Sequence, residues 1–216
     1  MNFLEVIAYM RSSVICDNFL PLDGILYYYA AQQKYGFQDM TLPGENPKID
    51  IKLPLKIINF GSDNWYYSCS WAYPLGAWWI EEGKQNWTKS FDLQYSDLVQ
   101  FRGRGTVAHK GGKYKSYNMP VFYKIVDKIT WYAVGNKEEI EKILRTAFYI
   151  GKKSSQGWGR VSEWKVNEIN NDWSIEKDGC YTRGIPYDNR LEGQIINYGY
   201  RPSYWEKENQ GWIKIK

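Results

Sequence analysis

Two strand-to-helix transitions, set far apart in the chain, constrain its fold more than any other feature. In the first, Phe3 to Cys16 alternates loosely between apolar and polar residues at Leu4, Val6, Ala8 and Met10, the period of a half-buried strand. Pro21 and Asp23 then mark a helix start, Leu22, Leu26, Tyr29 and Ala30 recur at helical spacing to about Tyr35, and Gly36 closes the helix. In the second, Val121 to Val134 reads as a strand. Asn136 is a good N-cap, Glu138 and Glu139 sit where the macrodipole favours acids, and Ile140, Ile143, Leu144, Ala147 and Phe148 share one face before Gly151.

The segments between and after these units complete the order. Thr41 to Pro54 reads as a loop; Leu55 to Phe60 and Trp65 to Tyr73 read as a hairpin turning at Gly61 to Asn64. Glu81 to Pro120 is polar and punctuated by glycine, long for a connection inside a compact domain. A strand from Val161 to Val166 follows a Gly-rich loop, and Asn170 to Lys216 is expected to add short strands packed on the body. Without the excursion the order is βαββαβ, which predicts an α+β fold: a ferredoxin-like four-stranded antiparallel sheet with both helices on one face and the other face free. The 216 residues are expected to form a single domain. Its core comprises about 1–80 and 121–168, with a long basic β-hairpin insertion at about 81–120 and a β-rich C-terminal extension at about 169–216.

Composition excludes several classes of function. No stretch approaches the roughly 18 apolar residues of a membrane-spanning helix, and the N-terminal residues carry Glu5 and no cleavage pattern, so no membrane association and a cytoplasmic location are expected. Cys16, Cys69 and Cys180 are widely spaced and form no C-x-x-C pair; packing thiols, and neither disulfides nor a zinc site, are expected. With one histidine, His109, most His-dependent catalytic arrangements and His-rich metal sites are absent. No metal, no cofactor and no catalytic residue is expected, which leaves binding. The 11 Trp and 19 Tyr suit core filling and strand formation first, and stacking on bases or sugars second.

Charge then points to a ligand. From Leu98 to Val126 there is no acid, while Arg102, Arg104, Lys110, Lys113, Lys115 and Lys124 are basic and glycines are interleaved among them. A solvated hairpin whose lysines merely protect its edges is the plain alternative. A second acid-free run holds Lys152, Lys153 and Arg160 around Gly157 and Gly159, a Gly-rich turn of the kind that cradles phosphates; it lacks the order of a Walker A loop.

The run Tyr149 to Val161, YIGKKSSQGWGRV, resembles the glycine-rich loop of the RAMP proteins, the RNA-binding subunits of CRISPR effector complexes. Pro21 to Leu26 after the first strand, and Trp131 to Gly135 before the second helix, are similar to the Cas5-type subunit of type IV systems. The resemblance implies a subunit of an antiviral ribonucleoprotein that caps the 5′ handle of the guide RNA, with the insertion as a thumb-like hairpin. Its implied partners are the guide RNA, a backbone RAMP subunit and the large subunit, with target DNA a further candidate in the assembled complex. The candidate RNA contacts are Gly151, Lys152, Lys153, Ser154, Ser155, Gly157, Trp158, Gly159 and Arg160 in the loop, and Arg102, Arg104, His109, Lys110, Lys113 and Lys115 in the insertion.

Two other functions compete. A metal-independent ribonuclease acting on precursor guide RNA would need His109 with Lys110 or Tyr114. A carbohydrate-binding module would use Trp65, Trp71, Trp78, Trp79 and Trp87, but the distinctive clusters are basic, whereas sugar sites favour acids and amides.

Overall fold

The structure is a computed structural model describing residues 1–36, 51–60, 64–90, 115–186 and 192–216. It is a mixed α+β chain, mostly strands with two α-helices among the described residues. By contact density it divides into a unit of Met1–Glu81 with Lys124–Lys216 and a second of Glu82–Tyr123.

The first unit is built on β1 (Asn2–Met10), β6 (Lys128–Gly135) and β7 (Val161–Glu168), antiparallel in the order β6-β1-β7. Among the described residues the remaining strands are β2 (Ile57–Asn59), β3 (Trp65–Tyr67), β4 (Glu81–Lys89) and β5 (Tyr117–Ile125) before β6, and five short ones after β7. Helix α1 (Leu22–Tyr35) keeps the expected bounds, closed by a hydrogen bond from the Gly36 N–H to Gln32 O. Helix α2 (Lys137–Leu144) opens on Asn136, whose side chain accepts from the Glu139 N–H. One sheet face carries Leu4, Val6, Ala8, Ile129, Trp131 and Val166, and these pack with Leu22, Ile25 and Leu26 of α1 and Ile140, Ile143 and Leu144 of α2. Period-2 strands and period-3.6 helices thus share one core, as the patterning requires.

The expected four-stranded ferredoxin-like sheet is not formed as such. At the fourth position, outside β6, runs Ser68 to Tyr73, which forms only isolated bridges, Cys69 to Ala133 and Tyr73 to Thr130. The ladder fails at Ser70: its carbonyl accepts from the Leu22 N–H, and the Tyr132 N–H donates to the Ser70 hydroxyl instead.

Other local expectations change too. The expected strand Val121 to Val134 is two, β5 and β6, parted at Asp127, whose carbonyl accepts from the Met10 N–H. Helix α2 stops at Leu144 rather than near Gly151, because Phe148 to Ile150 pair back on the loop: Val161 N–H to Phe148 O at 2.9 Å and Ile150 N–H to Gly159 O at 2.8 Å. The hairpin at 55–73 is present in shorter form, β2 pairing with β3. Most of the loop Thr41 to Pro54 lies outside the described residues.

The C-terminal segment forms β8 (Glu176–Lys177) with β9 (Cys180–Tyr181), and a sheet of β10 (Ile185–Pro186), β12 (Gln210–Ile215) and β11 (Gln194–Gly199) in the order β10-β12-β11. These are the short strands expected there, resting on a second core of Tyr66, Trp71, Tyr200 and Ile213. All three cysteines are free; Cys69 is buried, Cys16 half-buried and Cys180 exposed. The expectation of packing thiols therefore suits Cys69 and not Cys180. Burial pushes the Cys16 thiol up to about 12, which makes it an inert thiol at neutral pH.

In the second unit β4 and β5 pair in a two-stranded sheet, and Trp87 meets Tyr117 edge-on at 5.7 Å.

Candidate RNA interface

The candidate loop is fixed by its backbone. Arg11 to Ile15, directly after β1, supplies the anchors: Arg11 N–H donates to Arg160 O (2.8 Å), Gly159 N–H to Ser13 O (2.8 Å) and Lys152 N–H to Ile15 O (2.6 Å). Ser12 works both ways, its Oγ donating to Gly157 O at 2.8 Å and accepting from the Arg160 N–H at 2.9 Å. A short 3-10 turn, Ser154–Gln156, crowns the loop.

Two glycines are required by contact. A Cβ on Gly159 would stand 1.8 Å from Ile150 O, and one on Gly151 would stand 2.6 Å from Ile15 O; both have positive φ. Gly157 differs, since its φ of +87° is also left-handed but a Cβ there would meet nothing within 4 Å. Lys153 adopts φ 62° without being glycine, a conformation that costs a side-chain-bearing residue about 1–2 kcal/mol.

These bonds commit the N–H groups of Lys152, Gln156, Gly157, Gly159 and Arg160 inside the protein. The loop therefore presents charge mainly through side chains. Lys152, Ser154, Ser155, Gly157 and Arg160 are exposed, Lys153 and Trp158 half-buried and Gly159 buried. Lys152 Nζ lies 3.0 Å from Asp17 Oδ1, with both side chains more than half exposed, a pair worth only about 0–1 kcal/mol and readily exchanged for another anion. Arg11 is exposed beside Arg160, and sequence reasoning missed it. Its signal was available: in a βαββαβ unit the end of the first strand lies beside the start of the last.

Of the insertion residues, Lys115 is exposed, while Arg102, Arg104, His109, Lys110 and Lys113 lie outside the described residues. Lys124, counted with them as basic, is not available: it is 3% exposed, donates to Asn18 Oδ1 at 2.6 Å and sits 4.0 Å from the centre of a Trp79 ring. Lys124 and Lys152 flank Val14–Ile15 on opposite sides, each bridged to it.

The sheet face away from the helices, expected to be free, is partly covered. Lys177 donates to the Tyr132 hydroxyl at 2.5 Å and lies 4.1 Å from the Trp173 ring centre, which holds β8 over β6. Further along, the face carries Glu5 hydrogen-bonded to Asn167, and Glu163 beside Lys165. That mixture gives no phosphate a reason to bind. The aromatics invoked for sugar stacking are largely structural: Trp71 and Trp78 are buried, and Trp65 packs edge-on against Tyr67 at 5.0 Å. Among the described residues no cluster of acids, histidines and cysteines could hold a metal, and no helix is long and apolar enough to cross a membrane.

The residues that resemble the Cas5-type N-terminus have a buried role. Asp23 and Arg183 are both fully buried, their charged atoms 3.9 Å apart. Asp23 Oδ1 accepts from the Tyr204 hydroxyl at 2.6 Å and from the Gly24 N–H at 3.0 Å. Complete burial pushes the Asp23 carboxyl above its ordinary value, with Arg183, Tyr204 and Gly24 acting against that rise. Arg183 also donates to Tyr200 O at 2.5 Å, and so joins α1, Ser68 to Tyr73 and the C-terminal strands at one guanidinium.

An α+β chain with an exposed basic Gly-rich turn clamped between its first and last core strands is thus what the sequence folds into. The family described as CRISPR type IV associated protein Csf3 matches residues 90–216, more than half of the chain, and the chain belongs to that family. This agrees with the type IV, Cas5-type resemblance of the sequence. No curated protein matches the chain.

Proposed function

We propose that the chain is a non-catalytic, RNA-binding subunit of a type IV CRISPR effector that holds the 5′ handle of the guide RNA. The observation that carries the reading is the loop from Gly151 to Arg160, whose shape is set by glycines and by Arg11 to Ile15 while Lys152 and Arg160 remain exposed and Lys153 half-exposed. A rigid turn with three cations engages phosphates without paying for ordering on binding, and the two serines at its crown add hydroxyl donors. Membership of a type IV family supplies the setting, an assembly with other subunits around a guide RNA. On this reading the core is a ferredoxin-like unit whose fourth strand is reduced to isolated bridges.

The test is to incubate the pure protein with precursor guide RNA in EDTA and to measure its binding to handle RNA against a scrambled RNA of equal length. Preferential binding to the handle with the precursor left intact is expected. Metal-independent cleavage would overturn the non-catalytic reading, and equal affinity for both RNAs would overturn handle recognition.

A further inference from the structure

Among the described residues, the outer edge of β7 is open. Ile169 N–H donates to Phe3 O at 2.9 Å, and the register pairs Leu4 with Glu168, Val6 with Val166 and Ala8 with Trp164. Backbone groups alternate sides along an antiparallel strand. The N–H and C=O groups of Trp164, Val166 and Glu168 therefore point away from β1, where no other strand among the described residues pairs with them. Before this stretch the edge is occupied, because Val161 N–H donates to Phe148 O. The open stretch spans about 13 Å at the usual strand rise, room for a segment of about five residues.

Beside this edge lies a groove of about 360 Å³ between α2 and β7, lined by Leu144, Ala147, Phe148, Val161, Trp164 and Val166. Phe148 is 63% exposed, a large apolar ring presented to water with no core to fill. The ionisable residues at the groove are Glu141, Arg145 and Glu163, two acids and one base, on a chain whose net charge is +4. A nucleic acid backbone finds the wrong sign here. Alternating unpaired backbone groups need another backbone about 4.8 Å away, and the groove needs apolar side chains at every second position of it.

We infer that the β7 edge is a docking site for an extended polypeptide segment of a neighbouring effector subunit, which adds as a further strand, inserts alternate apolar side chains beside Phe148 and sets a basic side chain against Glu141 and Glu163. The inference rests on the chain being a subunit of an assembly, and is independent of how the loop contacts RNA. An edge strand left open is otherwise a liability for aggregation, and a subunit can leave one open where assembly covers it.

Hydrogen exchange of Trp164, Val166 and Glu168 tests this in three samples: the free chain, the chain with guide RNA, and the effector assembled by co-expression with the other protein subunits of its type IV system and guide RNA. Exchange at these amides is expected to be fast in the first two and slowed at least tenfold in the third. Phe148→Asp and Glu168→Pro should lower incorporation into the effector by about tenfold, the scale of a lost interface anchor, without changing binding to guide RNA. Glu168→Ala keeps the N–H and should assemble like wild type. Unchanged exchange in an effector that contains the chain would overturn the docking site and leave the subunit reading standing. Slowing by RNA alone would make the edge a nucleic acid contact, and slowing with rising concentration of the free chain would make it a self-pairing surface; either result overturns the inference. Failure of the wild type to enter the effector would remove the subunit reading and the inference together.

Discussion

The segment with the Cas5-type resemblance and the loop with the RAMP resemblance handle charge in opposite ways. At the N-terminal end of α1, Asp23 is fully buried, and its partners Arg183 and Tyr204 come from the far end of the chain. In the Gly-rich loop the backbone hydrogen bonds are internal while the cations of Lys152 and Arg160 face solvent. Similar residues, a glycine next to a charged group, thus build a lock in one place and present a surface in the other. Burial decides which, since a buried charge must find its partners within the protein and an exposed one is left to meet a ligand.

That contrast is sharpest under mutation of the lock. Arg183→Leu would leave the buried Asp23 carboxyl without its cation and the carbonyls of Cys69 and Tyr200 without their donor. A loss of about 3–5 kcal/mol in urea unfolding is expected, from a residue that touches no proposed ligand. A cost below about 1 kcal/mol would show that the lock does not hold the C-terminal strands to α1.

Within the loop, the comparison narrows to two glycines. Gly159→Ala drives a methyl group into Ile150 O and should cost about 3 kcal/mol, combining backbone strain with a contact that cannot relax. Gly157→Ala meets open space and should cost only its conformational strain, about 1 kcal/mol. Thermal denaturation of the two variants side by side distinguishes them. Equal losses would mean that the Ile150 contact yields without cost.

Lys153 gives the smallest stability effect and a telling sign. Lys153→Gly relieves a left-handed residue, offset by the extra freedom of glycine in the unfolded chain, so stability should stay equal or rise by up to about 1 kcal/mol. Affinity for handle RNA should fall in the same variant.

Local features were legible from the sequence. The bounds of α1, the Asn136 cap and the position of the Gly-rich loop all follow from spacing and capping chemistry within a few residues. What was hidden depends on distant partners. Nothing near Val126 and Asp127 announces that one β-rich run divides into β5 and β6, because the run changes partner there, from Val14 at Lys124 to β1 from Lys128 on. Phe148 keeps the helical pattern yet leaves the helix, since Val161 claims its carbonyl. Arg183 sits in a stretch of weak periodicity, and only the folded chain brings it to Asp23 and to the carbonyls of Tyr67 and Cys69. At the candidate site the loop was legible and Arg11 was not, for the same reason: it meets Arg160 across the sheet and not along the chain.

The central claim is that the loop's cations meet RNA phosphates, and the dependence of affinity on salt measures this directly. Log affinity for handle RNA plotted against log salt should fall linearly for the wild type. The variant Lys152→Ala, Lys153→Ala, Arg160→Ala should lower the magnitude of that slope by about 2, at roughly 0.7 per phosphate contact on a single strand. An unchanged slope in a folded triple variant would contradict the account, because it would mean that the phosphates are held elsewhere on the chain.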